Sequence, residues 1–206
     1  MDKGSRLAQF APETHPFGTT MQRFLSLPVT LMRQAFQGFL RRSLVVLVVI
    51  AIAGMLSQGK VENSGDNLQV ALPLLAWGCS IANGDGVEYL GRYLAMFAAA
   101  HGAKRVFGDA RFNIRPNGGG KGMPSAHTST AALGASRLVG DCLKGNFFVQ
   151  SAVVLAGGWV GASRIVAGAH TIWQVLFGAI LGLVCDRAAG RGSRLRRWIQ
   201  RLLRLG

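Results

Sequence analysis

Six apolar segments, each separated from the next by a short polar or glycine-containing stretch, limit the folds open to this sequence. They run over residues 44–56, 68–82, 87–107, 124–139, 147–166 and 171–185. Half of the 206 residues are hydrophobic and only 16% are charged, a composition that excludes an intrinsically disordered chain. Because a membrane-spanning helix needs about 20 mainly apolar residues, the segments predict an all-α bundle of six transmembrane helices.

The first of these segments, residues 44–56, is short for a span. Phe39 and Leu40 lengthen its apolar run on the N-terminal side. Arg41 and Arg42 can lay their aliphatic stems along the same surface while their guanidinium groups reach water. We therefore count this segment as the first span.

The positive charge of the chain is concentrated at its two ends. The formal net charge is +14, and residues 1–42 together with 186–206 supply ten of those fourteen charges. In a soluble protein this excess would suggest a nucleic-acid partner. Around an apolar middle it is typical of termini that lie on the cytoplasmic side and contact anionic lipid headgroups. The pattern predicts no nucleic-acid partner and an even number of spans.

Three parts of the chain follow from this pattern. Residues 1–42 form a cytoplasmic and interfacial segment, residues 43–186 the six-span domain, and residues 187–206 a basic tail. Apolar residues at helical spacing predict an amphipathic helix on the membrane surface over residues 29–42, with a core-facing helix of a soluble protein as the alternative. A second such helix is predicted over residues 193–205, where an RNA-binding arm is the alternative.

Two further features bear on processing and on redox chemistry. Cys79, Cys142 and Cys185 are an odd set with no CxxC pair and no histidine at metal spacing, so we expect small buried hydrophobic side chains. The first 16 residues hold no apolar core close behind their charges, so a cleaved signal peptide is not expected.

The loops on the predicted outer side are unusually basic. With both termini inside, residues 57–67, 108–123 and 164–171 lie outside, and residues 83–86 and 140–146 lie inside. The outer loops and their flanks carry Lys104, Arg105, Arg111, Arg115, Lys121 and Arg164. The tendency of cations to stay on the inner side disfavours this arrangement. A substrate that carries phosphate would need such cations there.

The tetrapeptide Pro124-Ser125-Ala126-His127 follows a glycine-rich loop and opens an apolar helix. Proline suits the first helical position, and the unpaired amides of a helix start point at an approaching anion. Ser125 taken alone is equally well explained as a helix cap. The six-span prediction, however, brings two further pieces to the same membrane edge: Arg115-Pro116 and Ser163-Arg164 with His170.

These pieces resemble the type 2 phosphatidic acid phosphatase (PAP2) superfamily over roughly residues 87–185. The family pattern is Lys, six residues, Arg-Pro, then Pro-Ser-Gly-His, then Ser-Arg, five residues, His, three residues, Asp. Arg115-Pro116, Pro124 to His127, and Ser163-Arg164 with His170 match it in type and spacing. Three positions depart from it, with Ala126 in place of glycine, Gly108 in place of the lysine and Gln174 in place of the aspartate.

The resemblance implies phosphoryl transfer without a metal or another cofactor. It implies that a neutral His170 attacks phosphorus and that His127 protonates the leaving oxygen. The substrate phosphate would be held by Arg115, Arg164, Ser125, the Ala126 helix start and one lysine. Helical spacing puts position 104 on the same face as 108, so Lys104 is preferred for that lysine, with Arg111 and Lys121 as alternatives.

Gln174 narrows the resemblance. The run His170-Thr-Ile-Trp-Gln174-Val175 looks like the branch that acts on polyprenyl diphosphates, such as dolichyl-diphosphate phosphatases. Four residues after His170 on a helix, the side-chain oxygen of Gln174 can accept a hydrogen bond from the ring and fix its tautomer.

The sequence thus predicts a lipid phosphatase in a bacterial inner membrane, with its site on the periplasmic side and a membrane lipid as substrate. A phosphotransferase of the same superfamily fits the same residues. Vanadate-dependent haloperoxidases resemble the site but are soluble, and Gly108 with Gln174 motivates an inactive membrane binding or assembly protein. Small residues on glycine-rich helices pack within and between chains equally well, so no oligomeric state is predicted.

Overall fold

Six α-helices make up most of the structure, a computed structural model that describes residues 38–188 together with Thr30, Leu31, Gln34 and Phe36. They are α1 (Phe39–Met55), α2 (Val61–Ala82), α3 (Gly86–Val106), α4 (Ala126–Arg137), α5 (Phe147–Val166) and α6 (Ile172–Ala188). A 3₁₀ turn follows α3 at Arg111–Asn113, and a π-helical turn follows α4 at Leu138–Cys142. The described residues form no strand, as the all-α prediction requires.

The two predicted interfacial helices are not open to the same comparison. Most of residues 29–37 and all of residues 193–205 lie outside the described part of the chain. Among the described helices, α5 alone is long and apolar enough to cross a membrane by length and composition, with 20 residues and a mean hydropathy of 1.3. Each of the six helices overlaps one of the six predicted segments, and the crossing by all six stays a prediction.

Helix α4 occupies the centre of the bundle and contacts α2, α3, α5 and α6. Its closest neighbour is α6, because two glycines of α6 let the backbones approach. A Cβ atom at Gly178 would lie 2.5 Å from the carbonyl oxygen of Ser125, and one at Gly182 would lie 2.3 Å from that of Ser129. This contact fixes the start of α4 beside the start of α6.

A buried polar network joins α3, α4 and α6 at the opposite end of the bundle. Asp186 is 4% exposed, accepts a 2.6 Å hydrogen bond from Ser136 and accepts one from Arg92 through its backbone oxygen at 2.8 Å. Arg137 lies 3.5 Å from the same carboxylate. Because buried charges must be paired to be tolerated, this network holds the three helices in one register.

Helix α2 begins at Val61, seven residues earlier than predicted, so the interpretation of residues 57–67 as an outer loop is wrong over most of its length. The polar residues there are helical because they pack on α5. Ser64 and Gly65 are buried, and Trp159 of α5 donates a 2.8 Å hydrogen bond to Ser64. The correction carries the acidic first turns of α2 to the mouth of the bundle.

Two other expectations are corrected. The fourth helix starts at Ala126 with Ser125 as its N-cap, so Pro124 precedes the cap and does not occupy the first helical position. Cys79 and Cys142 form a disulfide between the end of α2 and the π-helical turn, whereas Cys185 is a free thiol. A pairing across 63 residues depends on the tertiary fold and leaves no spacing signal.

Candidate active site

Two histidines and three cations from separate stretches of the chain gather beside the start of α4. We call Lys104, Arg115, His127, Arg164 and His170 the histidine–cation cluster. Arg115, Lys104 and His127 are all close enough to His170 to lower its pKa. His127 in turn is influenced by the charges of Arg164, Lys104 and Arg115. The cluster thus unites residues that sequence reasoning had assigned to one site.

His170 is the most buried ring of the cluster, at 3% exposure, in the turn between α5 and α6. Its backbone amide donates to the carbonyl of Arg164 at 3.2 Å, which ties the turn to the end of α5. Burial lowers the pKa of His170 from 6.5 to about 4, the Gln174 hydrogen bond opposes that shift, and the neighbouring cations add to it. The imidazole is therefore neutral at pH 7 and carries one ring nitrogen with a lone pair.

Gln174 determines which nitrogen that is. The side chain is fully buried, and its nitrogen donates to the carbonyls of Phe112 at 3.0 Å and Ile114 at 2.9 Å. Both amide hydrogens are thereby used, so the side-chain oxygen lies 3.0 Å from Nδ1 of His170 and accepts a hydrogen bond from the N–H at that position. Nε2 of His170 is left as the unprotonated ring nitrogen.

Gln174 also joins the loops that form the site. Its backbone oxygen accepts from the amide of Ser125 at 2.9 Å, and its side-chain oxygen accepts from the amide of Thr171 at 3.2 Å. A Cβ atom at Gly122 would lie 2.5 Å from its side-chain nitrogen. The i, i+4 contact with His170 was expected from the spacing, but the contacts to residues 60 and 62 positions earlier were not.

Arg164 is anchored at the end of α5 and is 4% exposed. Nη2 donates to the backbone oxygen of Glu62 at 2.9 Å, and Nε donates to the hydroxyl of Ser163 at 3.4 Å. Nη1 lies 3.1 Å from a carboxylate oxygen of Asp66 and 3.6 Å from one of Glu62.

Within the described residues, no three His, Cys, Asp or Glu side chains form a metal-binding group.

His127 stands in the first turn of α4 and is partly open to solvent, with 35% of its side chain exposed. Its Nε2 lies 3.4 Å from the same Asp66 oxygen that faces Arg164. Sequence reasoning missed Asp66 because it lay in the stretch interpreted as a loop. The spacing Glu62-x-x-x-Asp66, which puts two acids on one face of a helix, was the available signal.

Gly65 is the reason that α2 comes so close. A Cβ atom there would lie 1.9 Å from the hydroxyl oxygen of Ser163 and 3.6 Å from Nη2 of Arg164. No other amino acid fits without moving one of the two helices. The close approach brings the acidic turns of α2 within reach of Arg164 and His127.

The start of α4 provides further anion-binding groups. Ser125 is fully buried, and its hydroxyl oxygen caps the helix by accepting from the Thr128 amide at 3.5 Å and from the Thr128 hydroxyl at 3.1 Å. The structure thus uses Ser125 as a cap, and its own hydroxyl proton is left to donate. The amides of Ala126 and His127 make no hydrogen bond within the described chain and carry the positive end of the helix dipole.

The two candidate lysines differ in placement. Lys104 is 9% exposed in the last turn of α3, and its charge acts on both histidines. Lys121 is exposed in the loop before α4, and neither histidine shows an influence of its charge. Arg115 is half-buried, and its Nε is shielded from solvent without a hydrogen-bond partner in the described chain. Lys104 and Arg115 therefore belong to the cluster, and Lys121 stands apart from it.

An apolar groove of about 450 Å³ is lined by residues of α2, α3 and the first turns of α4 and includes His127 of the cluster. It starts at Ala126 and His127, and most of its lining is aliphatic and aromatic. The lining includes Val70, Leu74, Trp77, Tyr93 and Phe97. A groove of this kind suits a long hydrocarbon chain whose polar end lies at His127.

The family model of the PAP2 superfamily matches residues 42–197. The match covers most of the chain and includes every residue of the histidine–cation cluster, so the chain belongs to the PAP2 superfamily. No curated protein and no solved structure gave a match. Members of the superfamily are phosphatases and phosphotransferases, so the site belongs to an enzyme with phosphatase-type activity on phosphate esters.

Proposed function

We propose that this protein is an integral membrane lipid phosphatase that hydrolyses a lipid phosphate or polyprenyl diphosphate through a phosphohistidine, without a metal. The observation that carries the proposal is the pairing of His170 and Gln174. A neutral imidazole, held by Nδ1 and surrounded by cations, is the arrangement that a nucleophile toward an anionic phosphate requires.

In the first step, Nε2 of His170 attacks phosphorus. A nitrogen–phosphorus bond forms, and the bond from phosphorus to the leaving oxygen breaks. Lys104, Arg115 and Arg164, whose charges act on His127, would offset the charge on the equatorial oxygens of the transferred group, which is the main source of catalysis in phosphoryl transfer. The amides of Ala126 and His127 add the dipole of α4.

His127 moves the protons of both steps. It donates one proton to the leaving oxygen while the nitrogen–phosphorus bond forms, a contribution typically worth roughly 10² to 10⁴ in rate. It then takes a proton from water, whose oxygen attacks the phosphohistidine. Inorganic phosphate leaves, and His170 returns to its neutral form.

The surface of the protein supports a lipid substrate. Large apolar side chains lie exposed on several helices, among them Leu40 and Met55 at 81%, Phe148 at 85% and Leu155 at 73%. An apolar surface of this extent is unstable in water and suits hydrocarbon. The groove beside His127 opens on the same surface, so a lipid chain can enter from the side while its phosphate reaches the cluster.

The proposed sidedness is periplasmic. The basic termini favour the cytoplasmic side and anionic headgroups, which puts the cluster outside. The Cys79–Cys142 disulfide lies at the other end of the bundle, and in this orientation it faces the reducing cytoplasm. We therefore expect these two cysteines to be reduced in the cell.

The direct test is phosphate release by the purified full-length protein in detergent, in the presence of EDTA. Undecaprenyl diphosphate, phosphatidic acid and lysophosphatidic acid are compared as substrates. We expect release from at least one of them, loss in His170→Ala and full activity in Lys144→Ala, an exposed side chain at the opposite end of the bundle. Release in the presence of an added lipid alcohol distinguishes transfer from hydrolysis. No release from any lipid with or without metal would leave the inactive binding protein as the better account.

A further inference from the structure

We infer that Asp66 on α2 is the acidic partner of His127 and positions it, in its protonated form, for donation to the leaving oxygen. This inference rests on the function proposed above. Nε2 of His127 lies 3.4 Å from Oδ1 of Asp66. The residue belongs to none of the motifs that define the resemblance, and it comes from a helix turn that the sequence pattern had assigned to a loop.

The charges around His127 explain why a partner is needed. The positive charges of Arg164 from α5, Lys104 from α3 and Arg115 from the loop before α4 all act on the ring, and His127 in turn acts on His170 in the turn before α6. Burial of the ring and, after it, each of these cations disfavour a second proton on the imidazole. Asp66 from α2 is the carboxylate among the charges that act on His127 in the described chain, and it works in the opposite direction.

The placement of Asp66 is enforced by its neighbours. The same Oδ1 lies 3.1 Å from Nη1 of Arg164. It is shielded from solvent and makes no hydrogen bond within the described chain, although 43% of the side chain is exposed. The charge of Arg164 therefore holds Oδ1 of Asp66 in place, and this oxygen is free to accept a hydrogen bond from protonated Nε2 of His127. Gly65, which lets α2 approach Ser163, keeps it there.

The two histidines are thereby given different partners. His170 faces the neutral amide of Gln174 and stays an unprotonated nucleophile, whereas His127 faces a carboxylate that stabilises an imidazolium. Environments that separate the protonation of two titratable groups assign base and acid between them. The superfamily pattern has an aspartate at position 174, beside His170, where this chain has glutamine. In this chain the carboxylate is that of Asp66, and it lies beside His127.

Dependence on the leaving group tests this role. A poor leaving group needs the acid, and a good one does not. Asp66→Asn is compared with wild type on lysophosphatidic acid, which has an alkoxide leaving group, and on p-nitrophenyl phosphate. We expect a loss of at least about tenfold on the alkyl substrate and less than about threefold on the aryl one, since general acid catalysis is worth roughly 10² to 10⁴. The alkaline limb of the pH profile for the alkyl substrate should also move to lower pH.

Two variants serve as controls. Glu62→Gln lies one turn away on the same face and lies near Arg164 but not His127, so we expect no difference between the two substrates. Asp66→Glu keeps the charge, and we expect it to retain a wild-type ratio of alkyl to aryl rates even if Asp66→Asn does not fold. An equal loss on both substrates in Asp66→Asn, or an altered ratio in Asp66→Glu, would overturn the inference. A wild-type protein that releases phosphate from none of the three lipids nor from p-nitrophenyl phosphate would instead refute the proposed function, and the inference with it.

Discussion

The side-chain oxygen of Gln174 lies 3.0 Å from Nδ1 of His170, while the nitrogen of the same amide donates to the carbonyls of Phe112 and Ile114. One side chain therefore fixes the tautomer of His170 and holds the loop that carries Arg115. An acid at this position could do the first but not the second, because it has no donor for two carbonyl oxygens.

Replacement of Gln174 by alanine is predicted to lower kcat/KM by at least about tenfold, or roughly 1.4 kcal/mol of transition-state stabilisation. The variant loses the acceptor that orients His170 and leaves the carbonyls of Phe112 and Ile114 unpaired. Gln174→Glu keeps an acceptor but puts a second oxygen against those carbonyls, so it should also lose activity. Steady-state kinetics with the best lipid substrate measure both effects.

Gln150→Ala is the matched control for that measurement. Gln150 likewise donates to two backbone carbonyls, those of Val139 and Leu143, but at the opposite end of the bundle. It should change thermal stability without a change in kcat/KM at a temperature where the variant is folded. Full activity of Gln174→Ala between about pH 5 and 8, the range in which histidines switch charge, would reduce Gln174 to a packing residue.

The pH dependence follows from the lowered pKa of His170, about 4 against the usual 6.5. As the pH falls below 6.5, His170 binds a proton in the unfolded chain, whereas in the folded protein it stays neutral until about pH 4. The stability contributed by the neutral ring is thus complete above 6.5 and is lost as the pH falls toward 4. If His170 is the nucleophile, its unprotonated form persists over the same window, so the single-turnover rate of enzyme phosphorylation should have its acid limb below pH 5.

Gln174→Glu tests the cause of that acid limb. A carboxylate beside Nδ1 favours the imidazolium, so the limb should move to higher pH in this variant. A wild-type limb near 6.5 on substrates of different phosphate pKa would show that His170 titrates like an exposed histidine.

Local patterns predicted much of this structure. The apolar segments gave the six helices, and the spacing of His170 and Gln174 gave their contact. What the sequence concealed depends on distant partners. The start of α2 has the composition of a polar loop and is helical because Ser64 and Gly65 pack on α5. Asp66 lies in this stretch, so its place in the site could not be predicted from the local pattern. The hydrogen bond from Gln174 to the Phe112 carbonyl and the Cys79–Cys142 disulfide each join residues about 60 positions apart. Local sequence periodicity carries no information on such contacts.

Gly65→Ala should separate α2 from α5. Its Cβ atom would lie 1.9 Å from the Ser163 hydroxyl oxygen and 2.7 Å from the Ser163 Cβ atom, which rotation of the hydroxyl cannot relieve, so the helices must move, at a cost of about 1–3 kcal/mol for overpacking. Activity should fall with stability, because Asp66 and Arg164 move apart. Unfolding in detergent and the lipid assay measure the two effects.

Gly91→Ala is the comparison for Gly65→Ala. Gly91 is also in a helix, but a Cβ atom there meets nothing within 4 Å. Alanine should leave activity unchanged and stabilise the protein by about 0.5–1 kcal/mol. If Gly65→Ala behaved in the same way as Gly91→Ala, the tight contact between α2 and α5 would not be needed for the site.

The sidedness of the site can be tested by labelling in intact cells. Gly120→Cys and Lys144→Cys are made in a chain whose three native cysteines are replaced by alanine. Both positions are exposed, the first in the loop that carries Arg115 and the second at the opposite end of the bundle. A membrane-impermeant maleimide should label Gly120→Cys and spare Lys144→Cys. The reverse pattern would place the cluster in the cytoplasm and leave the disulfide outside.

The phosphohistidine is the central claim, and trapping it is the most direct measurement. Wild type, His127→Ala and His170→Ala are mixed with substrate labelled in the transferred phosphate, quenched in alkali and digested for peptide mapping. We predict an acid-labile, alkali-stable label on the peptide that contains His170 in the wild type and in His127→Ala. In His127→Ala a substrate with a good leaving group should still give label, because the attack does not need the acid. Label retained as phosphohistidine by His170→Ala would contradict the account.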